Sequence, residues 1–429
     1  MSDENEQPFP PETVEATEPV KTREIFGWCC FDFANSAFTT IVITVLGMPY
    51  FKAVVAGGHA QAEGWWGTTL ALSQVCVLLL APLVGVVADV HARKKRYLLV
   101  TALTCSVATA LMFSVSAGQV GLMLGLVLVA NFAFSTSENI CSAFLPEIST
   151  AKNVGRISGY GWSFGYLGGL LSLVIVLVIL KSGEGRAHWA FLTTGVFFFV
   201  ASLPTLLLLK ERARPRPLAE GQTYRGLAFK QFGDMRRELP QHRTLLLFFA
   251  AMTFYLAGLM AVIGFAAGYA GEIIGMTQEG IIGLFAVLQV AGVVGAYSFG
   301  FIQDRVGPKT PLVLALGLWI VVCVWAAKCD SVKEFYGIGI LAGMGMGGLQ
   351  SASRAVVSTL TPVGRSGEFF GYWGFFAKLA AMIGTFSFGW MVTQFGYRSA
   401  ILFNGAFFLV GLIMLIPLGL KPHDAVTKS

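Results

Sequence analysis

Four ionisable side chains interrupt stretches that are otherwise apolar: Asp32, Glu138, Arg354 and Lys378. A charge at the centre of a bilayer costs on the order of a few kcal/mol, so such residues are functional candidates by default. Glu138 and Arg354 lie 216 positions apart and carry opposite signs. An acid at 138 and bases at 354 and 378 suit pairing across an interface between two halves of the molecule. Asp32 opens the polar run "DFANS", with Asn35 one helical turn on. It reads either as a cap on the first helix or as a cavity acid for an ammonium group or a proton. Arg354 offers a fork of donors to a carboxylate, while Lys378 either faces a cavity or snorkels to the headgroups. A zwitterion held between Asp32 and Arg354 would draw the halves together. Asn131, Gln289 and Gln350 either face that cavity or hydrogen-bond between helices. The aromatics Trp162, Tyr166, Tyr372 and Trp373 read as a gate or as an interfacial belt.

The elements that must position these groups are membrane helices. Charged residues are 13% and hydrophobic residues 55% of the 429, with mean hydropathy +0.69, against roughly a quarter charged in soluble domains. Twelve apolar runs are long enough to span: about 31–56, 65–90, 97–117, 120–142, 158–180, 188–209, 244–268, 278–302, 311–328, 335–361, 369–393 and 397–419. Their length and lack of strict alternation argue against a β-barrel. The expected fold class is therefore an all-α membrane protein.

Other functions find no support. The five histidines fall in loops or tails, no Cys or His spacing suggests a metal, and no phosphate-binding G-x-x-x-x-G-K-(S/T) occurs. Neither an enzyme, nor a cofactor, nor ATP-driven transport is expected. The glycines of "GMGMGG" (343–348) lie mid-span, where small residues serve helix packing. Most of the 30 Lys and Arg residues fall in connections that share one side, notably 93–96 and 210–243. The positive-inside rule then places both termini in the cytoplasm, in the plasma (inner) membrane if the source is bacterial. The net charge of +6 reflects this bias, with no nucleic-acid surface required.

Residues 1–23 read as a disordered acidic cytoplasmic arm without a signal peptide. Residues 24–209 form a first six-helix bundle, 210–243 a cytoplasmic linker and 244–420 a second bundle, with 421–429 as a tail. Within the linker, 224–239 suits a basic amphipathic helix on the membrane surface.

The two bundles echo each other. "GVVADVHARKKR" (85–96) matches "GFIQDRVGPK" (300–309), placing Gly85 against Gly300 and Asp89 against Asp304, both 215 apart. Pro146 and Pro362 are 216 apart, and "GYGWSFG" (159–165) answers "GYWGFFA" (371–377). The glycine allows close helix approach, and the aspartate faces the following helix's N-terminus and the basic loop. Gly85, Asp89, Arg93 and Arg156, with Gly300, Asp304, Arg305, Lys309 and Glu368, are the expected cytoplasmic latch.

Twelve spans, the six-plus-six repeat and these loops resemble the major facilitator superfamily. The second loop fits its pattern at Gly300, Asp304, Arg305, Gly307 and Lys309; the first departs at Val90 and Ala92. A closer resemblance is to its vacuole-effluxer branch. It is carried by Asp32, Ala34, Asn35, Ser36 and Phe38, by "LPEISTAKNVGRISGYGWSFGYLGG" (145–169), "GMGGLQSASR" (345–354) and "EFFGYW" (368–373). The resemblance implies two pseudo-symmetric six-helix bundles and a secondary carrier of small solutes, amino acids or similar zwitterions, by alternating access. Protons are the candidate coupling ion, and substrate and lipids the expected partners. Two alternatives stand: an exporter of amphipathic or lipid-like compounds, and a non-transporting membrane sensor or scaffold.

Overall fold

The computed structural model describes residues 19–420, apart from 184, 363 and all but five positions of 214–241. Residues 1–18 of the acidic arm, most of the linker segment 224–239 and the tail 421–429 lie outside the described residues. The long helices are α1 (Thr22–Phe38), α2 (Ala62–His91), α3 (Lys94–Leu111), α4 (Val120–Ser142), α5 (Val154–Lys181) and α6 (Trp189–Leu208). Then come α7 (Arg243–Glu272), α8 (Gln278–Val306), α9 (Lys309–Lys328), α10 (Val332–Leu360) and the continuous run Ser366–Leu415. Gly396, at φ 78°, breaks that run into α11 (366–395) and α12 (397–415).

Among the described residues ten helices are long and apolar enough to cross a membrane. The run Ser366–Leu415 counts once among them although it contains two spans. The twelfth is α10, whose apolar residues are diluted by glycines, serines and Arg354. The result is twelve spans in two bundles, α1–α6 and α7–α12. Trp28, Phe31 and Phe38 anchor the first core, and Phe248, Phe249 and Trp319 the second. Leucines and phenylalanines such as Leu207 and Phe386 cover the outer, lipid-facing surface.

The helix ends differ from the sequence expectation at one instructive place. Helix α1 begins at Thr22, where the Glu24 carboxylate accepts the Lys21 amide (3.2 Å) and meets Arg212 (2.8 Å). Asp32 is therefore well inside the helix, and its reading as a cap falls. Beyond Phe38 the chain continues in wide π turns, Thr39–Val45, through a β-branched run that crowds a regular helix.

Cross-bundle packing joins α5 to α8 and α2 to α11, with lesser contacts of α5 with α10 and α4 with α11. Backbones touch where Gly85 meets Gly367 and Gly155 meets Gly300: a Cβ at either of the latter two would sit 2.6 Å from the other's carbonyl oxygen. Only glycine permits that approach.

Candidate functional site

At the centre of the interface, α10 delivers Arg354 to the first bundle. Its Nη1 donates to Asp32 Oδ2 at 2.7 Å, its Nη2 to the Ser158 carbonyl at 2.9 Å and its Nε to Ser158 Oγ at 3.2 Å. Ser158 in turn donates to the Ser351 carbonyl at 2.7 Å. The guanidinium lies 4.6 Å from the Trp28 ring and 5.2 Å from the Trp162 ring, so cation–π contacts add to the charged bonds. Trp28 is fixed by donating to the Cys141 carbonyl at 2.8 Å. Arg354 is 2% exposed, a buried charge compensated by one carboxylate and two neutral oxygens.

Above this pair lies a cavity of about 450 Å³, a volume typical of small-molecule sites. Asp32 faces it, whereas Arg354 does not. Glu138 of α4 and Lys378 of α11 both line it, from opposite bundles. Among the described residues neither forms a hydrogen bond or an ion pair. The sequence expectation of a Glu138–Arg354 pairing is corrected: Arg354 turns to Asp32 and to Ser158, whose helix α5 packs against α10.

The walls differ in chemistry. The first bundle contributes Asn35, Ser36, Thr39, Thr40, Gln74 and Asn131; the second is mostly apolar, with Phe285, Leu288, Trp319, Phe335, Met346 and Phe388. The π turns of α1 supply Thr39, Thr40 and Thr44 to the polar wall. Asn131 both lines the cavity and donates to Ser73 Oγ at 2.5 Å, and Gln350 accepts from the Tyr166 hydroxyl at 2.6 Å. Gln289 also faces the cavity. Of the four aromatics, Trp162 and Tyr166 line it, but Tyr372 and Trp373 do not: they pack in the second core, with Tyr372 bonded to Glu368 (3.0 Å).

The end of the interface where α1 begins and α12 ends is closed by two related latches. The Asp89 carboxylate accepts the amides of Gly367 and Glu368, each at 2.9 Å, and so caps the N-terminus of α11. Asp304 accepts those of Gly155 (2.8 Å) and Arg156 (3.1 Å), capping α5. Each aspartate thus meets exposed amides at a helix's positive end. The partner is a helix of the other bundle, not the following helix as the sequence suggests.

Charge is handled differently in the two copies. Arg156 Nε bonds Asp304 at 2.8 Å, while its repeat mate Glu368 turns to Arg365 (2.6 Å). The base beside Asp89 is Lys94 (3.6 Å), which also donates to Ser366 (2.8 Å) and pairs with Glu147. Glu211 caps α3 by accepting the amides of Lys94 and Lys95, and burial pushes its carboxyl above the ordinary range against those two donors. Arg93, Arg305 and Lys309 are corrected: the first two are exposed, and Lys309 bonds the Ile416 carbonyl, tying α9 to the end of α12.

A family described as "Vacuole effluxer Atg22 like" matches residues 53–155 and 148–422. The chain belongs to the vacuole effluxer family. Similar proteins include the MFS-type transporter YxiO of Bacillus subtilis, 24% identical over 92% of this chain and 94% of that protein. Autophagy-related protein 22-1 of Penicillium rubens is 26% identical over 63% of this chain and 50% of its own length. Among solved structures, the human organic anion transporter MFSD10 superposes with TM-score 0.75 at 14% identity, covering 93% of this chain and 100% of that one. FucP, a transporter of the major facilitator superfamily in the outward conformation, does so with TM-score 0.68 at 15% identity, covering 91% and 97%. The effluxer-family chain thus has the major facilitator fold. It is an integral multi-pass membrane protein and a secondary transporter of a small molecule, and its relatives are not enzymes.

Several site residues of this effluxer escape sequence reasoning. Gln74 lines the cavity with an Oε1 that has no hydrogen-bond partner among the described residues, and its lone amide mid-span is the available signal. Trp28 and Ser158 hold Arg354; Ser158 lies within the stretch 145–169 that carries the resemblance, but neither side chain by type or spacing announces a bond to an arginine 196 or more positions away. Lys94, one of four adjacent bases, is the one that is buried.

Proposed function

We propose that this transporter carries small zwitterionic solutes, amino acids above all, by rocking its two bundles about the cavity. The supporting observation is the cavity's charge layout: a carboxylate, Glu138, from one bundle and an ammonium, Lys378, from the other, beside a polar and an apolar wall. A zwitterion with an apolar side chain matches all of these features. With the termini in the cytoplasm, as the basic connections suggest, the latched state is closed to the cytoplasm. Asp32 and Glu138 are the cavity carboxylates and hence the groups to carry a coupling proton.

Counterflow in proteoliposomes tests the reading. Vesicles preloaded with one unlabelled amino acid should accumulate trace labelled phenylalanine or leucine, faster when a proton gradient is imposed. Accumulation of amphipathic organic ions with none of amino acids would favour the lipid-like exporter, which the apolar wall of the second bundle also suits.

A further inference from the structure

The charges left facing the cavity are not the pair that suggests a zwitterion bridge in the sequence. Arg354 spends three donors on Asp32 and Ser158, and its guanidinium lies over the rings of Trp28 and Trp162. No room for a ligand carboxylate remains: a methyl group on Gly161 would already strike Asp32, Arg354 and Trp28. Glu138 and Lys378 are different. Both are partly exposed to the cavity, each lies in the other's electrostatic field, and neither has a direct partner among the described residues. A carboxylate and an ammonium held in a low-dielectric cavity without direct compensation are costly. A ligand carrying the complementary pair of charges removes that cost.

We propose that Lys378 takes the carboxylate and Glu138 the ammonium of an α-amino acid, and that Asp32–Arg354 is a closure, not a binding pair. This rests on the amino-acid reading above. The ligand then lies on the cavity side of the closure, with its side chain along Phe285, Leu288 and Met346. Asn35, buried at the cavity wall with an Oδ1 that has no hydrogen-bond partner among the described residues, supplies a second acceptor to the ammonium. Because Glu138 belongs to α4 and Lys378 to α11, the bound zwitterion ties one bundle to the other. Asp32–Arg354 makes the corresponding tie between the bundles, beneath the cavity, without a ligand.

The test uses the purified full chain in nanodiscs and three probes: phenylalanine, N-acetylphenylalanine, which lacks the ammonium, and phenylalaninamide, which lacks the carboxylate. Apparent affinities come from dose-dependent thermal stabilisation. Wild type should prefer phenylalanine to both analogues by about tenfold or more, the worth of a charge-assisted bond. Lys378→Met should lose the preference over the amide and keep that over the acetylated probe; Glu138→Gln should do the converse. Asp32→Asn should keep both preferences. Each variant's retained preference shows that it is folded, and Lys378→Gln replaces the Met variant if that one does not fold. Unchanged preferences in the Glu138 and Lys378 variants, with loss in Asp32→Asn, would overturn the assignment and leave the amino-acid reading standing. If phenylalanine does not stabilise wild type at all while amphipathic ions do, both fall.

Discussion

Arg354 and Asp32 are 322 positions apart in the chain and 2.7 Å apart in space, one from each bundle. With Ser158 they form a polar tie through the middle of the interface. The proposed rocking of the two bundles requires that tie to break whenever the latched end opens. Among the described residues the cavity charges Glu138 and Lys378 have no such tie, so the proposed assignment puts closure and ligand recognition on separate pairs.

Removing one partner of the tie should therefore favour opening of the latched end. Arg354→Gln strands a carboxylate and Asp32→Asn strands a guanidinium, each at a cost of about 3 kcal/mol or more in the closed state. A cysteine introduced at the latched end should react faster with a thiol reagent in either variant. The double variant should fall short of the sum of the singles, by about 0.5–3 kcal/mol. Strict additivity would show that the two side chains do not act as a pair.

The two aspartate latches should contribute comparably, since each presents one carboxylate to two helix-end amides. Asp89→Asn and Asp304→Asn should each weaken closure by about 1–2 kcal/mol. Arg156→Ala should cost under about 1 kcal/mol, because Arg156 is 42% exposed and its ion pair is solvent-screened. The same thiol-accessibility measurement ranks the three. An Arg156→Ala effect as large as that of Asp304→Asn would mean that the ion pair, not the helix cap, holds α5 to α8.

Lys94 should be less tolerant than any other base of the loop after α2. It is almost fully buried against Asp89, Glu147 and Ser366. Lys94→Met leaves the carboxylates of buried Asp89 and half-buried Glu147 without the ammonium they share and should cost about 3–5 kcal/mol, read as a fall in melting temperature. Arg93→Ala, at an exposed position, should change stability by less than about 0.5 kcal/mol. Pairing Lys94→Met with Glu147→Gln should restore part of the loss; no recovery would remove Glu147 from the account.

The fold was legible because a membrane imposes one rule on every span, about 20 apolar residues, and because the repeat offset of 215 aligns the two loops. Intramembrane charges were legible for the same reason: Asp32, Glu138, Arg354 and Lys378 stand out against hydrocarbon. Their partners were not. Pairing depends on which helices cross, and Arg354 reaches α1 and α5 through the gap at Gly161, a feature of packing and not of spacing. The helix N-terminus that each latch aspartate caps belongs to the other bundle, so no local pattern reveals it. The start of α1 was misplaced because Thr22–Phe31 mixes charged with apolar residues, and its helix is held by Glu24 meeting Arg212, a contact distant in sequence.

Gly161 offers the sharpest steric test of the central tie. Its missing side chain leaves space that Asp32 Oδ2, Arg354 Nη2 and the Trp28 ring occupy. An alanine there must push the carboxylate and the guanidinium apart or displace Trp28 from its bond to the Cys141 carbonyl. Gly161→Ala should therefore mimic Arg354→Gln in thiol accessibility while leaving every charged residue in place. Gly125, on α4 with nothing within 4 Å of an added Cβ, is the control. Alanine there should be neutral or stabilise by up to about 1 kcal/mol through helix propensity. If both alanine variants behave like wild type, the interface has slack at Arg354, and the tie is looser than its three hydrogen bonds indicate.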